Sequence, residues 1–406
     1  MPVSIPRDAM PYGILRAMNP SAGASVAKRQ RLTIVACFAT MFMLGIAISM
    51  LGPSLPALAG RTSISLPQAG IFFSLFAAGS VLATLLLARY NDRPVRHALL
   101  IGGSLVMGTS FWLVATSHTF VQAGVAVALS GLSMSTVGTA PNAIMVDLFR
   151  DRAGQALNAL HVVVGVGSFV GPLLIGVAIR SGSDYRSAYY GASATMLVVC
   201  VLWIVSRPPK PQRAAAGNRS AWRSLLSTLI LVFILAMLYT GTEQVIGGWL
   251  FTYAQGTTAM QAVTASLLVA LFWLAILLGR LAAVRILRRV TNLELLRVCT
   301  LFGAAGIGVL LLGGLAPAVL WIGVMVLGFA FGPVFPTTLA LAGELAPDRA
   351  GAAGSLVVAS GSVGAMILPW LAGTLMPSIG MAGSFAAVVL PLAAMLVCLR
   401  GIARRE

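Results

Sequence analysis

The hydrophobic pattern of the chain is dominated by long stretches that contain no Asp, Glu, Lys or Arg. A helix that crosses a lipid bilayer needs about 20 mostly apolar residues. Each shorter stretch therefore predicts one spanning helix, and each stretch of 46 to 50 residues predicts two. The charge-free stretches are residues 32–60, 62–88, 97–146, 153–179, 187–206, 224–242, 244–279, 298–343 and 350–399.

Turn-forming residues divide each of the longest stretches, because Gly, Pro and short polar residues interrupt helices. These turn signals lie at residues 116–118, 313–317 and 377–380. Glu243 falls inside a single apolar pattern, and the next helix is expected to begin near Met260. The pattern predicts an all-α membrane protein with twelve transmembrane helices, six before residue 207 and six after residue 222.

Composition agrees with a lipid environment. Apolar residues make up 58% of the chain, charged residues only 9%, and the mean hydropathy is +0.94. A soluble domain carries about 25% charged residues, so a soluble enzyme, a secreted disulfide scaffold and a disordered chain are excluded. The four cysteines each stand alone in an apolar stretch, which favours buried hydrophobic positions over disulfides or a metal site. No catalytic, zinc-ligand or ATP-binding pattern has usable spacing, so we expect neither an enzyme nor a bound cofactor.

Basic residues predict the orientation. With an even number of spans, both termini lie on one side, and the loops of the other side contain only Arg61, Arg180 and Arg186. The remaining 24 of the 27 Lys and Arg residues lie on the side of the termini. The positive-inside rule then places both termini in the cytoplasm of a multi-pass inner (plasma) membrane protein. The net charge of +17 is thus a topology signal, and no nucleic-acid partner is expected.

The predicted organisation follows from these patterns. It comprises a disordered cytoplasmic N-terminus (1–31), a first six-helix bundle (32–206), a basic cytoplasmic linker (207–223), a second six-helix bundle (224–401) and a cytoplasmic C-terminus (402–406).

The two halves of the chain repeat each other. Charged, Gly and Pro positions recur at an offset of 197 residues, and two glycines of the first span recur at an offset of 196. The clearest pairs are Gly131/Gly328, Asp147/Glu344, Arg152/Arg349, Gly167/Gly364, Pro172/Pro369, Gly176/Gly373, Gly45/Gly241 and Gly52/Gly248. Two six-helix units in the same orientation, joined by a cytoplasmic loop, are the parallel-repeat plan of one class of membrane transporter.

A loop motif points to the same class. Residues 88–96 read ARYNDRPVR, and the signature Gly-x-x-x-Asp-Arg-x-Gly-Arg is matched by Asp92, Arg93 and Arg96, with Ala88 and Val95 in place of the glycines. On this motif and the repeat, the chain resembles the major facilitator superfamily over its whole membrane part. The resemblance implies two pseudo-symmetric six-helix bundles, a small-molecule substrate bound near the midplane between them, and transport by alternating access.

Within the superfamily the chain is most similar to the fucose/glucose–proton symporter group. The supporting segments are residues 158–172, 241–253 and 332–337. The resemblance implies proton-coupled uptake of a sugar or similar polar solute by a protein that we expect to be a monomer in the bilayer. One departure is that the first span, Ile34 to Ala59, contains no carboxylate, whereas the fucose-type proton site has an Asp there.

Symmetric and asymmetric polar residues are expected to differ in role, because a solute lacks the symmetry of the repeat. Symmetric charges at cytoplasmic helix ends are interpreted as a gate of ion pairs that closes the cytoplasmic side in the outward-facing state. The alternative is a set of solvated interfacial charges, each pair contributing up to about 1 kcal/mol. The predicted gate residues are Asp92, Arg93, Arg96, Asp147, Arg152, Glu344 and Arg349.

Glu243 is the main candidate for substrate binding or proton coupling. Its counterpart in the first span is Ala47. For a helix that starts near Leu225, Glu243 lies about 27 Å along the axis, past the midplane toward the outside. An ionised acid at the centre costs roughly 2.5–3.5 kcal/mol, so it must face water, a partner or a substrate. The neighbouring Gly241, Gly247 and Gly248 favour a bent helix, and the alternative is an interfacial acid beside a loop.

Asn158 and His161 are also asymmetric. With Gly165, Ser168 and Pro172 they follow a spacing of 3, 4, 3 and 4 residues, so they share one helix face. This stripe can line a water path, with His161 about 12 Å inside the cytoplasmic end. It can equally pack on a neighbouring helix.

Three further residues complete the candidate site. Asn142 and Gln244 are possible ligands for hydroxyl groups. Trp249 can stack on a sugar ring, form an outer lid or serve as an interfacial anchor.

Two other functions stay open. The segment from Gly167 to Pro172 also resembles a motif of drug–proton antiporters, which implies efflux of a drug or metabolite. A transport-inactive sensor or scaffold with the same fold would tolerate loss of Glu243.

Overall fold

The computed structural model describes residues 24–87, 95–149, 152–206, 208–209, 222–314 and 316–404. Within these ranges the regular structure is α-helix with two short 3-10 turns. The helices are α1 (Ala24–Arg61), α2 (Leu66–Ala69), α3 (Ile71–Leu87), α4 (Arg96–Thr116), α5 (Phe120–Phe149), α6 (Ala153–Arg180), α7 (Tyr185–Val205), α8 (Trp222–Thr258), α9 (Ala262–Ile286), α10 (Asn292–Leu311), α11 (Pro317–Phe331), α12 (Val334–Leu345), α13 (Ala350–Ala386) and α14 (Val389–Ala403).

These helices account for the twelve predicted spans. Eleven helical runs in the described ranges are long and apolar enough to cross a membrane, with α2 and α3 forming one run and α11 and α12 another. The predicted turn at 377–380 contains a backbone break at Gly380 (φ 72°, ψ 172°), a conformation that glycine adopts at little cost. Residues 381–386 and α14 therefore make the twelfth span, and the all-α fold class is confirmed.

Two predicted boundaries differ from the structure. Helix α1 begins at Ala24, within the segment 1–31 that was expected to be disordered. Helix α8 begins at Trp222, within the predicted linker 207–223. Residues 1–23 and most of that linker lie outside the described residues, so the bundle boundaries stay a prediction.

Turn residues begin several helices in the way their sequence predicts. Ser65 and Gln68 form a capping box at α2, and Thr291 and Glu294 form another at α10. In each box the cap hydroxyl accepts from a backbone N–H and the longer side chain accepts from the cap residue's own N–H. Asp184 accepts from a backbone N–H at the start of α7. These caps satisfy helix-terminal donors that would otherwise be unpaired.

Glycine contacts show that the two halves are built alike. In the first half, a Cβ on Gly167 would collide with the Phe42 carbonyl oxygen, where α6 crosses α1. In the second half, a Cβ on the matching Gly364 would collide with the Met237 carbonyl oxygen, where α13 crosses α8. Backbones approach this closely only where side chains are absent, as in other membrane helix pairs.

A second pair of helix crossings repeats in the same way. A Cβ on Gly131 would collide with the carbonyl oxygen of Phe76 at the α5–α3 crossing. A Cβ on Gly328 would lie 2.7 Å from the carbonyl oxygen of Phe272 at the α11–α9 crossing. Because residues 76 and 272 differ by the repeat offset of 196, the sequence repeat is also a structural repeat.

The closest contacts between the halves define which side is shut. We call the membrane face that carries Ala24 and Ala403 proximal and the opposite face distal. A Cβ on Gly52 of α1 would lie 2.7 Å from the Gly248 carbonyl oxygen of α8. The Ser74 hydroxyl of α3 donates to the Met366 carbonyl oxygen of α13 at 2.5 Å. Gly52, Gly248 and Ser74 lie in the distal halves of α1, α8 and α3, so the distal side is closed.

Candidate functional site

Glu243 lies inside the membrane-spanning helix α8, past its midpoint toward the distal end. It is 21 residues after Trp222, where α8 begins, and 15 before Thr258, where α8 ends. The depth predicted from the sequence, past the midplane toward the outside, stays a prediction. Only 6% of the residue is exposed. A buried carboxylate at this depth requires a partner.

Arg280 of α9 is that partner. Its Nη2 atom lies 3.7 Å from the Glu243 Oε1 atom. Side chains lean toward the N-terminus of their own helix, and α8 and α9 run in opposite directions. Arg280 therefore leans toward the distal side and Glu243 toward the proximal side, so the two groups approach each other within the membrane.

A break between α11 and α12 supplies acceptors beside this pair. The carbonyl of Gly332 would pair with the N–H of residue 336 in a continuous helix, but Pro336 has none. Arg280 Nε instead donates to this carbonyl at 3.2 Å. The Tyr239 hydroxyl donates to the neighbouring Phe331 carbonyl at 2.7 Å. Because Pro336 lacks an N–H group, the Gly332 carbonyl is left as an acceptor for the Arg280 guanidinium inside the membrane span.

Tyr239 lies one turn from Glu243 on the same face of α8. Its ring meets the Phe331 ring edge-on, with centroids 5.6 Å apart and planes at 70°. Its hydroxyl lies beside the Glu243 carboxyl group. Tyr239 thus fixes the helix break against α8 and limits the positions that the carboxylate can adopt.

His161 faces this cluster from the other half. At the α6–α9 crossing, a Cβ on Gly165 would lie 2.9 Å from Leu277 Cδ1. His161 precedes Gly165 by four residues and Arg280 follows Leu277 by three, so both lie one turn toward the proximal side of this seam. The His161 side chain is exposed, and it is close enough to Arg280 for electrostatic interaction. Of the four charged or titratable groups described here, two were predicted from the sequence, Glu243 and His161.

The other predicted polar residues differ in their exposure and in their hydrogen bonds. Asn158 is exposed one turn further along the His161 face of α6, and Gln244 is half-buried next to Glu243. The amide nitrogen of Asn142 donates to the Gly138 carbonyl at 2.7 Å. Its buried Oδ1 atom has no hydrogen-bond partner among the described residues, and it can accept a hydrogen bond.

Trp249 belongs to the distal closure. It is fully buried, its Nε1 atom donates to the Pro369 carbonyl at 2.9 Å, and its ring lies 5.7 Å from that of Phe73 in the other half. Gly70 and Gly373 are close to the same indole ring. The structure therefore separates Trp249 from the Glu243 cluster and places it where a lid would lie.

The predicted gate residues make contacts inside each half. Asp92 and Arg93 lie outside the described residues. Arg96 Nη1 pairs with Asp147 Oδ2 at 2.9 Å, and the Asn292 amide donates to Glu344 Oε1 at 2.7 Å. These pairs are repeat equivalents, since residues 96 and 292 differ by 196. Two gate candidates remain. Arg152 is exposed at the start of α6, and Arg349 is exposed just before α13.

Arg280 and Tyr239 were missed by the sequence analysis. Arg280 ends a charge-free stretch, so it resembled an interfacial charge, and Tyr239 resembled a core aromatic residue. One signal was present: Arg280 lies six residues before the end of α9 at Ile286, which is too deep for a surface charge. Pro336, four residues after Gly332, was a second signal of a free carbonyl.

The fold and this site define a multi-pass membrane protein with two repeated bundles and a charged cluster at their junction. The family model described as Major Facilitator Superfamily matches residues 37–358. The chain belongs to this superfamily of membrane transporters, and the resemblance found in the sequence is confirmed.

Curated relatives are similar over most of the chain. The sodium-dependent glucose transporter 1A of Mus musculus is 25% identical over 385 residues, which cover 83% of this chain and 88% of that protein. Bypass of stop codon protein 6 of Saccharomyces cerevisiae is 21% identical over 388 residues, covering 86% and 78%.

Solved structures share the fold. A mutant of the nucleoside transporter NupG superposes with a TM-score of 0.78 at 12% identity, covering 92% of this chain and 99% of that chain. A bacterial homolog of the human lysosomal transporter Spinster, in an inward-facing and unoccupied conformation, gives a TM-score of 0.77 at 12% identity, covering 93% and 98%. At these identities the similarity shows the fold alone.

Proposed function

We propose that this protein is a secondary active transporter that takes up a sugar or similar small polar solute together with protons. The observation that carries the proposal is the Glu243–Arg280 pair inside the membrane-spanning helices, with Nη2 and Oε1 3.7 Å apart. The names of the glucose-transporter relatives support a sugar as the solute. The distribution of basic residues supports cytoplasmic termini, so the distal face, which is closed, is external.

Coupling follows from the electrostatics of the pair. An ionised Glu243 attracts Arg280, and a protonated Glu243 is neutral and releases it. The freed guanidinium then becomes available to the solute, so that proton and solute bind together and leave together. Among the described residues, the titratable or charged groups that face Glu243 are Arg280 on α9 and Tyr239 on its own helix, with His161 of α6 facing Arg280.

Sodium coupling is the second candidate, because the relatives are named as sodium-dependent. A sodium ion needs several oxygen ligands, and a guanidinium beside the carboxylate repels a cation. We therefore favour the proton.

The test uses cells that express the protein in a dense, weakly buffered suspension, pulsed with a panel of sugars. We expect external alkalinisation with a transported sugar and none in Glu243→Gln, which keeps the shape of the side chain but cannot ionise. The matched control is Glu294→Gln, because Gln also completes a capping box and Glu294 is exposed. Exchange of labelled sugar should persist in Glu243→Gln.

Three results would contradict the proposal. Alkalinisation that persists in Glu243→Gln would remove Glu243 from the coupling path. Sugar uptake that requires external sodium and leaves the pH unchanged would establish sodium coupling instead. Export of a drug or metabolite without any sugar response would favour efflux.

A further inference from the structure

Arg280 has more N–H donors than it has hydrogen bonds. A guanidinium has five N–H donors, and among the described residues its one hydrogen bond runs from Nε to the Gly332 carbonyl. The distance of 3.7 Å to Glu243 exceeds the usual hydrogen-bond range. The side chain is 28% exposed, although it lies within a membrane span. Arg280 is therefore held in place by a backbone acceptor and keeps N–H groups that are available to a ligand.

His161, whose side chain is exposed, can present a ring nitrogen to the same ligand. It lies across the α6–α9 seam from Arg280 and belongs to the other half of the molecule. A ligand that contacts both residues would join the two halves. Such a bridge is what a transported solute has to form if its binding is to affect how the halves move.

The charge around the seam favours an anionic ligand. Among the described residues, Glu243 is the one acid of this cluster, and Tyr239 is occupied with the Phe331 carbonyl. When Glu243 carries a proton, the Arg280 charge has no counter-ion within its reach. An uncompensated cation in a membrane span is costly. The guanidinium fork matches the two oxygens of a carboxylate.

We propose that the transported solute is a sugar acid or similar polyhydroxy monocarboxylate, with its carboxylate on Arg280 and a hydroxyl group on His161. This inference rests on the proposed function and narrows its substrate class. The solute carboxylate replaces the Glu243 carboxylate at Arg280 when Glu243 takes up a proton. One proton and one monoanion then cross together, and the transport step carries no net charge.

The experiment compares D-glucuronate with D-glucose as radiolabelled probes in proteoliposomes that contain the full-length protein, with an inward proton gradient. We expect glucuronate uptake, and at least a tenfold loss of it in Arg280→Gln, because a charge-assisted bidentate contact is removed. Arg285→Gln is the matched control, because Arg285 lies on the same helix and is exposed. Arg280→Lys keeps the charge without the fork and should recover uptake only in part. His161→Gln should raise the KM for glucuronate.

The outcomes separate this inference from the function on which it rests. Glucose uptake that glucuronate does not inhibit would overturn the sugar acid and leave sugar transport standing. Uptake of neither probe, by protein that remains monodisperse and thermally stable, would overturn both. Equal losses in Arg280→Gln and Arg285→Gln would also overturn the inference, because the effect would then reflect overall basicity. A potential-dependent current during glucuronate uptake would contradict the charge balance.

Discussion

The distal closure depends on contacts made by individual side chains, and Trp249 makes several of these contacts. It is fully buried and donates to the Pro369 carbonyl, and its ring meets that of Phe73 in the other half. We expect Trp249→Ala to lower the free energy of unfolding by about 3–5 kcal/mol, as for other large-to-small changes of a buried aromatic residue. Thermal unfolding in detergent would measure the loss.

The matched control for this change is Trp370→Ala. Trp370 is next to Pro369 in the chain, but it is 41% exposed, so its removal should change the melting temperature little. Equal shifts for the two variants would show that Trp249 contributes no specific contact to the closure.

At the residue scale, the sequence indicated which acidic residue is unusual but not which residues contact it. Glu243 stood out because an acid in an apolar stretch is costly, and the structure buries it inside helix α8. Arg280 did not stand out, because its position at the end of a charge-free stretch resembles that of many interfacial residues. Its role depends on the Gly332 carbonyl of another helix, and such a tertiary contact is invisible to any local pattern.

At the scale of helices, glycines set how closely neighbours approach. Gly45 of α1 faces the backbone of α6, and an added Cβ would collide with the Val164 carbonyl oxygen. We expect Gly45→Ala to destabilise the protein by about 1–3 kcal/mol, the usual cost of overpacking. The melting temperature of the purified variant and its yield from membranes would test this expectation.

Gly60→Ala is the comparison in the same helix. No atom lies within 4 Å of a Cβ at Gly60, and alanine is the better helix former by up to about 1 kcal/mol. We expect this variant to be as stable as the parent protein or slightly more stable. A comparable loss in both variants would mean that helix flexibility, and not the α1–α6 contact, is responsible.

Spans were predictable from the sequence because lipid excludes charge, whereas helix breaks were predictable only in part. The turn at 377–380 was predicted and coincides with the break at Gly380. The interruption between α11 and α12 was not predicted, although Pro333 and Pro336 lie there. Pro141 lies within the uninterrupted helix α5, so proline alone does not decide between a break and a continuous helix. At the break the chain packs directly on α9, where a Cβ on Gly332 would collide with the Ile276 carbonyl oxygen.

At the scale of the whole molecule, the distal contacts must open if the two halves rock. Ser74 of α3 and Met366 of α13 are the best pair for a lock, because the Ser74 hydroxyl reaches the Met366 carbonyl. We expect the Ser74→Cys/Met366→Cys variant to lose transport on oxidation and to regain it on reduction. Solute counterflow in proteoliposomes, before and after a reducing agent, would measure both.

The four native cysteines need no replacement for this test. Cys37, Cys200, Cys299 and Cys398 are free and buried, so oxidation should act on the introduced pair. Each single variant serves as a control that should be insensitive to oxidation. Transport that continues after complete cross-linking, verified by electrophoretic mobility, would contradict alternating access through the distal seam.

The repeated glycine contacts also bear on the descent of the chain. Gly45 and Gly241 each lie against the backbone of a neighbouring helix, so two copies of one ancestral unit have kept the only residue that fits. Two positions further along, the copies have diverged to Ala47 and Glu243. Each position of the unit thus occurs twice within one protein. The positions at which the two copies differ are those where duplication allowed one copy to acquire a new function.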